Sequence, residues 1–514
     1  MRIDKLYIDE FKNLKKFRID FCEQELTSVL IGKNGSGKSN VIEALVLIFR
    51  DLDLKSLPSF DYQINYICNN HDVQIISKNK KYNIELDGKK SSMSILHSID
   101  EEGQKIYIPK HVFAYYSGPS NRLEKHFDKH QNKFYRELLD GNEKALRPFF
   151  YARLIHSHFV LLSFFSFFDQ SSKDFLKRYL DIVGLESILF VLKKPFWNKK
   201  TGQNLDQFWG ARGVVKKFLN DLYKYSLAPI KDIVNIPDGF SNKKQEMTYL
   251  FLQDDEKTIE FARKYQSNIE FFKNLESTYL SDLIYEVKIK VVKSDGTKLT
   301  FNELSEGEQQ LITVLGLLKF TKEDESLFLL DEPDTHLNPA WKFEYLELLK
   351  NVVGNSETSQ VIISTHDPIV IGGLRKEQVT IFSREDDGIV TKQPDMDLKG
   401  MGVAALLTSE LFGLTSTLDL ETQDKINKKR ELMFKENKTM DDISEIEKIS
   451  AELGSLDFTR TTRDPLYEKF LKALYKRDIK NKKRVLTPEE VREQERITEE
   501  IFREIMEDKG NALD

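Results

Sequence analysis

Cysteine is scarce in this chain of 514 residues: Cys22 and Cys68 are the only two, too few for a disulfide framework or a four-thiolate metal site. That scarcity points to a reducing, cytoplasmic setting. Long hydrophobic runs are missing as well. The most apolar stretch, Phe159 to Phe168, is too short to span a bilayer and is cut by Asp169, so no membrane association is expected. The first residues, Met1-Arg2-Ile3-Asp4-Lys5, alternate charged and apolar side chains and carry no signal-peptide pattern. Positive charge is not in excess either. With 77 Lys+Arg against 83 Asp+Glu, the formal net charge is -6, so no global field draws the chain to nucleic acid or anionic lipid. What is present is ordinary for a soluble globular chain: 40% hydrophobic and 31% charged residues and a mean hydropathy of -0.46, in a length that suits about two to four structural units.

Residues 3–9 and 26–31 read as strands from their apolar patterning. Gly32-Lys33-Asn34-Gly35-Ser36-Gly37-Lys38-Ser39 follows at once, and Asn40 to Phe49 then carries Val41, Ile42, Leu45, Val46 and Ile48 at helical spacing. Strand, glycine-rich loop, helix is the order of a phosphate-binding loop. The glycines let backbone N–H groups approach phosphate oxygens, and the helix N-terminus adds positive dipole. Lys38 is then the residue to hold the β and γ phosphates of ATP, and Ser39 the one to ligate Mg²⁺. A plain surface loop is the alternative, and its flanks argue against it. Further on, Leu327-Phe328-Leu329-Leu330-Asp331-Glu332-Pro333 reads as a buried strand ending in two acids. Asp331 suits the Mg²⁺ partner and Glu332 the base that polarises the attacking water. A second strand, Gln360 to Ser364, closes a βαβ unit around an amphipathic stretch from Pro339 to Val353.

Leu304-Ser305-Glu306-Gly307-Glu308-Gln309-Gln310, followed by an apolar helical run to Phe320, resembles the signature of ATP-binding-cassette (ABC) ATPases. Asp334-Thr335-His336-Leu337 and Ser364-Thr365-His366-Asp367 resemble the D-loop and switch histidine of the same superfamily. The resemblance covers roughly 1–120 and 285–390. It implies a composite site: the P-loop of one copy holds ATP, and Ser305, Gly307 and Glu308 of a second copy close on it, with Glu332 and His366 as the catalytic pair. Asn34, Asn40 and the run Glu332 to Leu337 resemble the soluble branch that includes RecF-type repair ATPases and overcoming-lysogenisation-defect (OLD) nucleases. Tyr115-Tyr116-Ser117-Gly118 with Asn121-Arg122-Leu123, and Glu410-Leu411-Phe412-Gly413-Leu414, are similar to the PtuA-like ATPases of Septu and of Septu-containing retron antiphage defence systems. That resemblance implies a homodimer or larger homo-oligomer working with an HNH nuclease of the PtuB type, and a reverse transcriptase with its RNA–DNA hybrid in the retron case. A RecF-like ATPase that binds DNA directly, and an ATP-bound scaffold with little hydrolysis, are the alternatives.

Two departures stand out. No glutamine loop is evident near 110–120, and the nuclease half of OLD-type proteins is represented only by Asp395-Met396-Asp397 in a polar setting, so intrinsic nuclease activity is not expected. The expected fold class is α/β: an ABC-ATPase head with a P-loop parallel sheet and an antiparallel β layer, split as 1–124 and 281–390, with a mainly helical insertion at 125–280 and a helical C-terminal region at 391–514. His126 and His130 lack the ligand pair a zinc site needs. Phe164, Phe165, Phe167 and Phe168 read as core or interface. Lys193, Lys194, Lys199, Lys200, Lys216 and Lys217 with Trp197 and Trp209 are candidates for a nucleic-acid surface.

Overall fold

The computed structural model describes residues 1–21, 24–101, 103–141, 148–167, 170–198, 207–239, 241–321, 325–353, 358–385, 388–435, 437–454, 490, 492–493 and 496–503. Cys22, Phe168, Lys199 and Lys200 lie outside the described residues. The chain divides into two compact units, residues 1–370 with 378–392, and residues 371–377 with 393–514.

The first unit is organised by a seven-stranded sheet. Its strand order is Gly388–Lys392, Val379–Glu385, Thr27–Gly32, Gln360–Ser364, Ser326–Asp331, His111–Tyr116 and Phe149–Tyr151. All neighbours are parallel except the Gly388–Lys392 edge. Ser326–Asp331 and Gln360–Ser364 are buried along their whole length, which explains why they read as unbroken apolar runs rather than alternations. Because the strands are parallel and in register, Gly32, Ser364, Asp331 and Tyr116 fall along one edge of the sheet, the carboxyl edge at which open α/β sheets bind ligands.

The antiparallel layer is a six-stranded sheet in the order Leu14–Asp20, Arg2–Phe11, Tyr62–Cys68, His71–Lys78, Lys81–Leu86 and Lys89–Ser91. Its last three hairpins turn at Asn69-Asn70, Asn79-Lys80 and Asp87-Gly88, where both residues have positive φ, the turn whose twist matches the strands. The helix Lys38–Asp53 joins the two sheets. Its Val41, Ile42, Leu45 and Phe49 share one core cluster with Ile3, Leu6 and Ile64 of the second sheet and Leu30, Leu329 and Ile362 of the first.

The segment 125–280 departs from expectation. It contains the helices Asp128–Leu139, Leu154–Ser166, Gln170–Leu180, Gly213–Tyr225, Asp255–Ala262 and Asn268–Leu280, but also three long strands, Ile182–Lys193, Leu227–Asp238 and Ser241–Leu252. These build a third sheet with Ile284–Lys293 and Lys298–Thr300. The boundary drawn at 280 therefore runs through a sheet, because Ile182–Lys193 takes its antiparallel partner from Ile284–Lys293 on the other side of it. In the second unit, Gly402–Thr408, Leu420–Phe434 and Met440–Gly454 are helical, and the last two are laced by exposed pairs such as Lys428–Glu445 and Lys435–Asp442, the solvated charged faces that interspersed signs imply. No helix among the described residues is long and apolar enough to cross a membrane.

Candidate nucleotide site

The loop after Thr27–Gly32 ends at Gly37, which caps the helix Lys38–Asp53 with a left-handed φ of 98° and no side-chain hydrogen bond. A Cβ there would stand 2.8 Å from Ile389 Cδ1 and Leu14 Cδ2, so only glycine fits. The helix thus begins with no side-chain hydrogen bond at its cap and no acid in its first turn, an end open to an anion. Lys38 is buried, and its Nζ donates to the Gly32 carbonyl at 2.7 Å and the Lys33 carbonyl at 3.3 Å. Burial lowers its pKa, against the opposing pull of Glu332 and Asp331. Ser36 is buried too, and its Oγ has no hydrogen-bond partner among the described residues. Asn34 is exposed at the loop tip.

Asp331 closes the other side. Its Oδ1 accepts hydrogen bonds from Ser39 Oγ at 3.0 Å and from Ser364 Oγ. Its Oδ2 is buried with no hydrogen-bond partner among the described residues, and burial raises the pKa of the carboxyl. An orphaned carboxylate oxygen beside a serine hydroxyl is costly unless something fills the place. The donor set, one carboxylate and one hydroxyl, is the hard-oxygen chemistry that suits Mg²⁺ with phosphate.

Glu332 has a left-handed φ of 53°, unusual for a residue with a long side chain, and its N–H donates to the Ser364 carbonyl at 3.0 Å. That turn brings its carboxylate to 3.3 Å from His366 Nδ1. The two residues expected as a catalytic pair are therefore neighbours. Behind them, Thr365 Oγ1 donates to Asp334 Oδ2 at 2.8 Å. Burial raises the Asp334 carboxyl to about 6, and Thr365 partly opposes this.

Ser305 is placed differently. It caps the helix Glu306–Leu311 by a reciprocal box: its Oγ accepts from the Glu308 N–H at 3.3 Å, while Glu308 Oε2 accepts from the Ser305 N–H at 2.8 Å. Burial pushes the Glu308 carboxyl up, but Lys293 and Ser305 hold it below its ordinary value. Gly307 lies against the D-loop, where a Cβ would meet the His336 carbonyl at 2.5 Å. Among the described residues, the side-chain hydrogen bonds of Ser305 and Glu308 run to each other and to Lys293, not to Gly32–Asn40 of the same chain.

Four residues went unassigned in the sequence: Lys12, Asn13, Glu43 and Arg122. Glu43, buried on the P-loop helix, accepts from Arg122 Nη2 at 3.0 Å, from His126 Nε2 at 2.9 Å and from Lys12. Arg122 Nη2 also reaches Asn40 Oδ1 at 2.6 Å, Asn40 Nδ2 donates to Asn13 Oδ1, and Asn13 Nδ2 donates to the Gly35 carbonyl at 3.0 Å. The only sequence signal was the Asn121-Arg122-Leu123 motif, since the partners are 79 and 82 residues away. Ser117, which begins the segment leading to Arg122, donates its N–H to the Asp331 carbonyl at 3.2 Å.

The other candidates take their plain readings. His126 and His130 bond to different carboxylates, Glu43 and Asp53, and no metal-binding cluster of His, Cys, Asp or Glu occurs among the described residues. Phe164 and Phe165 are buried. Lys193 pairs with Asp282, Lys194 with Glu246, and the indoles of Trp197 and Trp209 donate to the Ser281 carbonyl and to Glu246. The Asp397 carboxylate accepts from the Lys376 N–H at 3.0 Å, while Asp395 pairs with Arg492 and donates its N–H to Glu410 Oε1 at 3.0 Å.

A P-loop helix open to phosphate, an acidic strand end beside it, and a signature helix on the same scaffold define an ABC-type ATPase head. The chain belongs to the family described as "AAA domain, putative AbiEii toxin, Type IV TA system", which matches residues 28–372, more than half of its length. It is 24% identical over 431 residues to the Septu protein PtuA of Bacillus mycoides (strain KBAB4), aligning 81% of this chain with 45% of that one. It is 23% identical over 425 residues to the Retron Vc95 probable ATPase of Vibrio cholerae serotype O1 biovar El Tor, covering 75% and 74%. To the DNA replication and repair protein RecF of Clostridioides difficile (strain 630) it is 20% identical over 420 residues, covering 76% and 98%. The chain thus spans less than half the length of the PtuA protein it matches.

Proposed function

We propose that this protein is the ATP-binding and hydrolysing subunit of an antiphage defence complex, in which ATP holds two copies together and their closure controls a separate HNH-type nuclease. The observation that carries the ATPase reading is the conjunction of a P-loop helix with no side-chain cap, an Asp331 Oδ2 beside Ser39 that has no partner among the described residues, and the Glu332–His366 contact. Lys38 would neutralise the β and γ phosphates, while the backbone of Gly32, Asn34, Gly35, Ser36 and Gly37 cradles them. Ser39 and Asp331 would hold Mg²⁺, which when bound supplies charge neutralisation at the phosphate oxygens. Glu332 takes the proton of the attacking water, and His366 holds the Glu332 carboxylate in place and shares its charge.

The dimer reading is supported by Ser305, whose helix turns its cap to Glu308 and not to its own P-loop; a second copy would bring Ser305, Gly307 and Glu308 to the γ-phosphate. The defence assignment is supported by the PtuA and retron relatives. A reverse transcriptase and its RNA–DNA hybrid are further partners in a retron setting. The RecF relative gives direct DNA binding as the second reading, which binding of bare DNA that weakens steeply with salt would favour. An ATP-bound scaffold predicts bound nucleotide with no phosphate release in the unmodified chain. Glu332→Gln tests the core of the account. It should retain bound ATP while hydrolysis falls about 10²–10⁴-fold; unchanged turnover would remove Glu332 from the mechanism.

A further inference from the structure

The contacts from Arg122 to the P-loop have a direction that chemistry fixes. Arg122 can only donate, and the Gly35 carbonyl can only accept. Between them stand two amides, so each must turn its oxygen toward Arg122 and its NH₂ toward Gly35: Arg122 Nη2 to Asn40 Oδ1, Asn40 Nδ2 to Asn13 Oδ1, Asn13 Nδ2 to Gly35 O. Neither amide can flip without setting donor against donor or acceptor against acceptor. The far end needs such a fastening. Gly35 has φ +79° and a Cβ there would meet nothing within 4 Å, so among the described residues its peptide is held by hydrogen bonds alone, the Ser36 N–H donating to the Lys33 carbonyl at 3.1 Å and Asn13 Nδ2 donating to the Gly35 carbonyl. A rotated Gly35 carbonyl would present negative charge to the phosphates.

The near end is locked as firmly. Arg122 is held by Glu43, a carboxylate on the P-loop helix one turn from Asn40, which also takes Lys12 and His126. Burial pushes the Glu43 carboxyl up, and the bonds from His126, Lys12 and Arg122 bring it down to about 2, so it is a permanent anion. Arg122 Nε is buried with no partner among the described residues, so the side chain is held through its Nη2 end.

We propose that Arg122 is a positioning residue of the nucleotide site: clamped by Glu43, it drives a one-way hydrogen-bond relay through Asn40 and Asn13 that keeps the Gly35 carbonyl out of the phosphate cradle. This rests on the nucleotide reading above and adds to it how the loop is kept competent before ATP arrives. The test is titration of the full chain with a fluorescent ATP analogue and Mg²⁺, alongside nucleotide-free melting. Arg122→Met and Asn13→Ala should each weaken binding about tenfold. Combining them should be no worse than the weaker single variant, because both cut one relay. Arg122→Lys, which can still donate to Asn40 Oδ1, should stay near the parent. Asn13 is exposed, so Asn13→Ala should melt with the parent and carries the test should Arg122→Met fold poorly. Parental affinity in Asn13→Ala, or effects that multiply in the double variant, would overturn the relay. Lys38→Ala separates the two levels: binding weakened there but normal in both relay variants refutes the relay alone, whereas no binding by the parent chain refutes the nucleotide reading beneath it.

Discussion

The first unit contains two helix N-termini that resemble phosphate cradles in sequence, and they are built in opposite ways. At Lys38–Asp53 the cap is a glycine, no side chain hydrogen-bonds at the cap, and the first turn has no acid. At Glu306–Leu311 the cap is Ser305, closed by a reciprocal box with Glu308, and Glu306 adds a second negative charge. The first end is incomplete without an anion. The second is complete by itself, and its acids repel phosphate. The run Ser305-Glu306-Gly307-Glu308 is at once an ATPase signature and an ordinary capping box, so within one chain the helix needs no nucleotide to be stable. That asymmetry is what the proposed shared site requires: in that proposal the P-loop would bind first, and the signature end would join when a partner brings it to a triphosphate neutralised by Lys38 and the metal.

The contrast can be broken from either side. Removing the open end has the largest effect: Lys38→Ala should reduce ATP affinity by roughly tenfold to a hundredfold, read by nucleotide titration, because a charge-assisted bond to phosphate is lost. Next comes Asp334, behind the proposed catalytic pair. Its carboxyl is raised to about 6 by burial, so the folded chain binds this proton more tightly than the unfolded chain does. Stability must then fall as pH rises from about 4 to about 6, and the deficit persists above that. Asp334→Asn should gain about 2 kcal/mol at pH 8 and almost nothing at pH 4, measured by urea denaturation at both. An equal gain at both values would show that ionisation is not the cause. The smallest effect belongs to the closed end: Ser305→Ala should cost about 1 kcal/mol of stability through the lost cap, with ATP binding by the isolated P-loop unchanged.

Legibility in the sequence followed the range of the interactions. The P-loop, the acidic strand end and the switch histidine are short motifs on buried strands, and the register Asp331 to Ser364 puts them together without any long-range surprise. Lys12, Asn13, Glu43 and Arg122 were invisible as a set because each is an unremarkable polar residue until the fold assembles them. The three long strands of the third sheet that lie within 125–280 went unread for a different reason. Leu227–Asp238 carries Pro229 and Pro237, and Ser241–Leu252 opens with Asn242, Lys243 and Lys244, a composition that argues against a strand. It is tolerated because Leu227–Asp238 is the sheet edge, where a missing N–H costs no ladder bond. Of the lysines and tryptophans that were candidates for a nucleic-acid surface, Lys193, Lys194 and the Trp209 indole are taken by Asp282 and Glu246, partners that only the fold brings to them.

The central claim is that two chains each lend half of one site, and mixing two damaged copies examines it most directly. Lys38→Ala retains an intact signature helix but no competent P-loop; Ser305→Arg retains the P-loop but cannot close on a neighbour's phosphate. Each alone should be inactive in phosphate release. Their mixture should recover hydrolysis, since the mixed dimer assembles one complete site from the sound half of each. A mixture as silent as its two parents, under conditions where mixed dimers are seen to form, would place the whole site within a single chain and contradict the account.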